Sequence, residues 1–126
     1  MAPLTMAPTQ GDLVKYDDNP DYTRETVTLL AGTSYPLGAV LGKITASGKY
    51  KLATATGTDG AQTAVAVLLE AVDATAADAT GVVLARGPAI VSDAQLVYDA
   101  TVTTAAQKAA KIDQLKAAGI VPRTAA

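Results

Sequence analysis

The chain has 126 residues, with ten basic and twelve acidic side chains and a formal charge of −2, a balance that argues against a nucleic-acid binder with a basic face. It contains no Cys and no His, which removes disulfide frameworks, thiolate chemistry, the commonest general base and the usual zinc ligands. Its length suits one domain. Phe and Trp are absent while 27 Ala and 17 Thr fill the sequence, so a thin core is expected, with self-association as a way to bury more apolar surface.

Residues 1–25 are expected to form an extended N-terminal arm rather than part of a domain. They hold Pro3, Pro8 and Pro20 and show no lasting periodicity, and proline both fixes its own φ and discourages helix in the residue before it. The opening "MAPLTMAPTQ" lacks the charged and continuous apolar regions of a signal peptide. No apolar run approaches the ~20 residues that span a bilayer, so the expected product is a soluble protein made in a cytoplasm. The segment "DDNPDY" sets Asp17, Asn19 and Asp21 at alternate positions, like the start of an EF-hand loop. That loop needs Gly at its sixth position and Glu at its twelfth, where this chain has Tyr22 and Thr28. A solvated acidic turn, or charges paired with a partner's Lys or Arg, fits better than calcium.

From Thr26 the pattern becomes that of strands. "TVTLL" predicts a half-buried strand with Val27 and Leu29 inward, broken by Gly32. "AVLGKIT" is β-prone, anchored by Val40 and Ile44. In "SGKYKLA" a turn at Ser47 and Gly48 leads into a strand with Lys49 and Lys51 out and Tyr50 and Leu52 in. "ATGTDGAQ" is a loop by composition. "TAVAVLLEAV" predicts a strand with Val65, Val67 and Leu69 on one face. "GVVLARGPAIV" reads as a strand, a break at Gly87 and Pro88, and a short second strand. "AQLVYD" suits a last strand or a helical turn.

The C-terminal stretch "TAAQKAAKIDQLKAAG" predicts a helix over about 104–118. Thr104 and Gln107 form a capping box, and Ala105, Ala109, Ile112 and Leu115 an apolar stripe. Lys116 suits the C-terminal dipole, Gly119 the left-handed cap, and Pro122 the stop.

Chemistry-bearing patterns are few. "GAVLGKIT" resembles a phosphate loop only superficially. Three residues, not four, separate Gly38 from Gly42, and Ile44 stands where Ser or Thr would reach a metal. The glycines read instead as turn formers. Glu25 and Glu70 are the only glutamates and lie far apart in sequence, and no spacing selects a pair of Asp residues for acid–base work. Arg86 beside a turn reads as a surface ion pair. No catalytic, cofactor or metal site is expected. Tyr50 and Tyr98 are expected in the core or at a subunit interface, while Tyr16 and Tyr22 lie in the arm, where an amphipathic ring suits an interface.

The run "VTLLAGTSYPLGAVLGKITASGKYKLATATGTDGAQTAVAVLLEAV", then "GVVLARGPAIV", then a helix ending "LKAAGIV", resembles the head decoration proteins of tailed bacteriophages, the lambda D-protein type. The "PLGAVLGKI" turn, "GKYKLA" and the "TDG" loop carry most of the likeness, which covers Thr26 to Val121 and the presence of an arm. It implies a mainly β chain, α+β by content, forming a compact β-tulip-like domain over 26–126. It implies a homotrimer on the capsid exterior at threefold and quasi-threefold positions. There it would bind the major capsid protein and cement the expanded shell against packaged DNA. The arm would be the tether; its composition nominates Leu4, Met6, Leu13, Val14, Tyr16, Asp17, Asp18 and Tyr22 as capsid-contacting residues. The alternative is a β-rich surface module recognising a cell-surface protein or glycan, weakened by the lack of Trp and Phe.

Overall fold

A computed structural model describes the backbone of residues 14–17, with the Val14 side chain, and residues 23–123. Ten strands and one α-helix are present among them. The central unit is a closed five-stranded barrel of β2 (Arg24–Leu29), β5 (Tyr50–Leu52), β4 (Val40–Lys43), β6 (Ala64–Leu68) and β8 (Ala79–Leu84) in that order around the ring. Closure pairs every barrel strand on both sides, which removes free edges. A two-stranded ribbon of β3 (Thr33–Tyr35) and β7 (Val72–Ala74) adjoins the barrel. A separate sheet of β1 (Val14–Asp17), β9 (Ala89–Ser92) and β10 (Ile120–Arg123) has β9 at its centre, antiparallel to β1 and parallel to β10. Helix α1 (Ala105–Ala117) leads directly into β10.

The core has two layers set by strand alternation. One contains Leu29, Leu41, Ala66, Leu68 and Val83, with Val27, Tyr50 and Leu52 packed against it. Residues from all five barrel strands meet there, so it fills the barrel interior. The other contains Val40, Ala64, Val67, Leu69 and Leu84 with Ala89, Val91, Leu115 and Ile120. This is the outer face of β4, β6 and β8, covered by the β1–β9–β10 sheet and α1. The chain is thus mainly β with one C-terminal helix, as its sequence pattern predicts. Val27 and Leu29 face inward on β2, and Gly32, with φ of 105°, ends that strand's run.

Several local expectations need correction. Val65 does not share a face with Val67 and Leu69: it packs in the barrel interior, while Ala64 joins the outer layer. The β4–β6 register explains this. Leu41 faces Ala66 and Gly42 faces Ala64, so Val65 is an extra residue, a bulge that reverses the alternation. Ile44 falls just beyond β4 and anchors a turn, where its N–H donates to the Lys49 carbonyl at 2.8 Å. Of the two forms expected for "AQLVYD", the helical turn is the one seen: a 3-10 turn over Asp93–Gln95 takes in its first two residues, and Val97 then bridges Ala39. Pro122 lies beyond the helix, which ends at Ala117 as expected, but the chain there is not irregular: β10 runs through Pro122 paired with Val91.

The helix begins as predicted. The Thr104 hydroxyl oxygen accepts from the Gln107 N–H at 3.2 Å, and Gln107 Oε1 accepts in turn from the Thr104 N–H at 3.1 Å. Its inward face differs from the expected stripe. Ala105 and Ala109 are exposed, whereas Lys111 and Leu115 are buried, with Gln107, Ile112, Gln114 and Ala118 half-buried. The helix therefore docks along positions 107, 111, 114, 115 and 118, one step round from the alanines.

Candidate functional site

Of the arm residues nominated from the sequence, Leu4, Met6, Leu13, Asp18 and Tyr22 lie outside the described residues, as do Asn19 and Asp21 of the calcium-like pattern. The other three fall on β1. Val14 is half-buried and packs against the outer core layer opposite Val91. Tyr16 pairs with Ile90 and Asp17 with Ala89, after a register irregularity between Val14 and Tyr16. Part of the leader is thus hydrogen-bonded to the domain's own sheet, and β2 begins at Arg24, two residues before Thr26. Among the described residues β1 forms the outer edge of the sheet on that side, and an edge strand can pair with another strand through its outward N–H and C=O groups.

The leader's landing place is fixed by the two ends of the outer layer. A Cβ on Gly87 would overlap the Gly119 backbone, so both positions require glycine. Gly119 has φ of 86°. The Gly87 N–H donates to the Ala118 carbonyl at 2.9 Å and the Ala89 N–H to the Gly119 carbonyl at 3.1 Å. These contacts join the end of α1 to the start of β9, the strand on which β1 lies. The peptide between Gly87 and Pro88 is cis.

The described carboxylates hold turns and make surface pairs. Asp78 binds Lys49 at 2.5 Å and accepts from the Ala31 N–H at 2.8 Å. Asp59 binds Lys51 at 2.7 Å and accepts from the Ala61 N–H at 3.0 Å. Asp73 accepts from the Thr75 hydroxyl at 2.7 Å. These hydrogen bonds, led by Lys49, Lys51 and Thr75 respectively, hold all three carboxyls below the usual aspartate range. Glu25 pairs with Arg86 at 2.9 Å, the surface ion pair expected beside the Gly87 turn. Glu70 accepts from the Val82 N–H at 3.2 Å. Among the described residues no three carboxylates gather as a metal site, and no helix is long and apolar enough to cross a membrane.

"GAVLGKIT" resolves into two different glycine roles. Gly38 takes φ of 85° in the turn before β4. Gly42 lies inside β4, where a Cβ would overlap the Ala61 backbone, so this glycine permits close approach of the 54–63 loop rather than a turn. The Lys43 side chain that follows is exposed.

The tyrosines divide by burial. Tyr35, not singled out by the sequence, is the largest buried side chain among the described residues, and its hydroxyl donates to the Leu30 carbonyl at 2.7 Å. Tyr50 is half-buried against the barrel interior. Tyr98 packs against the outer layer with the Lys108 ammonium 5.7 Å from its ring centre. Sequence reasoning also missed Lys111, whose spacing from Gln107 and Leu115 marks the inward face, because a lysine reads as solvent-facing. Its ammonium donates to the Gln62 carbonyl and to Gln114 Oε1.

Comparison with known proteins settles the family. No curated protein matches the chain. A family model described as bacteriophage lambda head decoration protein D matches residues 3–120, nearly the whole sequence and most of the leader. Together with the mainly β barrel and its C-terminal helix, that match shows that the chain belongs to the lambda head decoration protein D family, structural proteins of the phage capsid exterior.

Proposed function

We propose that this protein binds the outside of an expanded phage head as a homotrimer at threefold and quasi-threefold positions, contacts the major capsid protein, and stabilises the shell against packaged DNA. The observation that carries this reading is the family match, which starts at residue 3 and so takes in the leader as well as the domain. The leader's composition supports a binding role. Leu4, Met6, Leu13, Val14, Tyr16 and Tyr22 supply apolar surface, and Asp17 and Asp18 supply charge for basic partners. β1, an edge strand among the described residues, offers a second means of attachment by strand addition. One leader would bind weakly because ordering an extended segment costs conformational entropy. Three leaders on one trimer act together, with an avidity gain of roughly 10²–10⁴.

The test is binding of purified protein to expanded, undecorated heads, using the full chain and chains lacking residues 1–13 or 1–22. The first deletion keeps β1, the second removes it, and both leave β2 whole. Affinity should fall with the first deletion and fall further with the second. Unchanged affinity in both would remove the leader as tether. Electron cryomicroscopy of decorated heads reports the trimer directly, and single copies seated away from the threefold and quasi-threefold positions would overturn it.

A further inference from the structure

Helix α1 and the 54–63 loop enclose a shallow groove of 240 Å³ lined by Ala55, Ala106, Gln107, Ala110, Lys111 and Gln114. Its polar atoms are biased in one direction. Gln107 Oε1 accepts from the Thr103 N–H at 2.9 Å and the Thr104 N–H at 3.1 Å. Gln114 Oε1 accepts from the Ala64 N–H at 2.7 Å and from the Lys111 ammonium at 3.4 Å. A backbone N–H can be met only by the oxygen of a carboxamide, so both side chains are fixed in orientation. Their NH₂ groups make no hydrogen bond among the described residues and remain as donors.

The charge is biased too. Lys111 is 2 % exposed, yet its ammonium is bonded only to the neutral oxygens of Gln62 and Gln114. No described carboxylate forms an ion pair with it: Asp59, Asp78 and Glu25 are engaged by Lys51, Lys49 and Arg86. Burial pushes the Lys111 pKa down, consistent with a cation lacking a counter-charge. A buried charge of this kind is stabilised when an opposite charge approaches through the poorly polarisable interior. The methyl groups of Ala55, Ala106 and Ala110 leave space for one.

We propose that this groove binds a carboxylate, presented as the acidic side chain of a partner polypeptide. Donors line the groove, its carboxamide oxygens are already engaged, and a single ammonium balances one negative charge rather than the two of a phosphate. The groove is shallow, so it covers little of a free small ligand, whereas a side chain tethered to a partner gains affinity from contacts around it. The inference concerns the α1 face of the domain and does not rest on the leader's role.

The test is NMR titration of the ¹⁵N-labelled full chain. The probes are sodium acetate and the blocked peptide acetyl-Gly-Glu-Gly-amide, with sodium chloride at matched ionic strength as the control. The side-chain NH₂ signals of Gln107 and Gln114 should shift saturably with both carboxylates and not with chloride. Lys111→Met should weaken peptide binding by about tenfold, the effect of losing about 1.4 kcal/mol. Ala110→Glu, at an exposed helical position, supplies a competing carboxylate and should abolish the response. Shifts that follow chloride would overturn the proposal, and so would saturation undiminished in Ala110→Glu or in folded Lys111→Met. Saturation by acetate but not by the peptide would overturn the partner side chain in favour of a free carboxylate. Should Lys111→Met fail to fold, Ala110→Glu decides by itself.

Discussion

The barrel interior and the outer β1–β9–β10 layer are built from the same Ala- and Val-rich sequence but differ in how they are finished. Every barrel strand has two hydrogen-bonded neighbours, and Leu29, Leu41, Leu68 and Val83 are fully buried inside the ring. Among the described residues the outer sheet has two edges, an irregular β1–β9 register and a half-buried Val14 on its first strand. A closed ring resists local opening, whereas an edge strand with few buried contacts opens at low cost. The leader enters through the part of the molecule best able to exchange partners.

Four substitutions would break or sharpen this contrast. Leu68→Ala, inside the ring, should cost about 2–5 kcal/mol in chemical denaturation, since the closed barrel collapses poorly onto a cavity. Thr104→Ala removes half of the capping box and should cost about 1 kcal/mol, with helical circular dichroism reporting the frayed first turn. Val14→Ala trims a half-buried side chain and should cost about 0.5–1 kcal/mol, with faster hydrogen exchange confined to β1 and β9. If it matched Leu68→Ala, the two regions would be one cooperative unit and the contrast would fail.

The smallest effect concerns acid. Asp59, Asp73 and Asp78 have carboxyls held below 3.8 in the folded chain. A depressed folded pKa means that the unfolded chain binds protons first as pH falls, so the stabilisation is complete above the unfolded-chain pKa and is lost as pH falls on through the folded one. Asp78→Asn should flatten this acid limb without altering stability near neutrality by more than a surface pair does. An unchanged acid limb would show that the Lys49 and Ala31 contacts are not maintained in solution.

Legibility followed the range of the interactions. The Thr104–Gln107 box and the Gly119 cap are set by residues within a turn of one another, so the helix could be read directly. The β2 alternation and the break at Gly87 and Pro88 were equally local. The three-residue strands β3 and β7 were invisible because neither is long enough to show a period, and each exists by pairing with the other. Of the candidate leader residues, the sequence supplied the types but gave no sign that Val14–Asp17 would pair with β9.

By itself, the sequence determined a mainly β domain, a capped C-terminal helix and membership of a decoration family through the texture of its turns. Tertiary structure alone decided that Val65 is an extra residue, that Pro122 lies on a strand, and that Lys111 rather than Ala109 faces inward. Each depends on a partner distant in the chain: Gly42 opposite Ala64, Val91 beside Pro122, and the Gln62 carbonyl at the Lys111 ammonium. Local preference fixes what a segment can be, and the burial and hydrogen bonding of remote partners fix which way it turns.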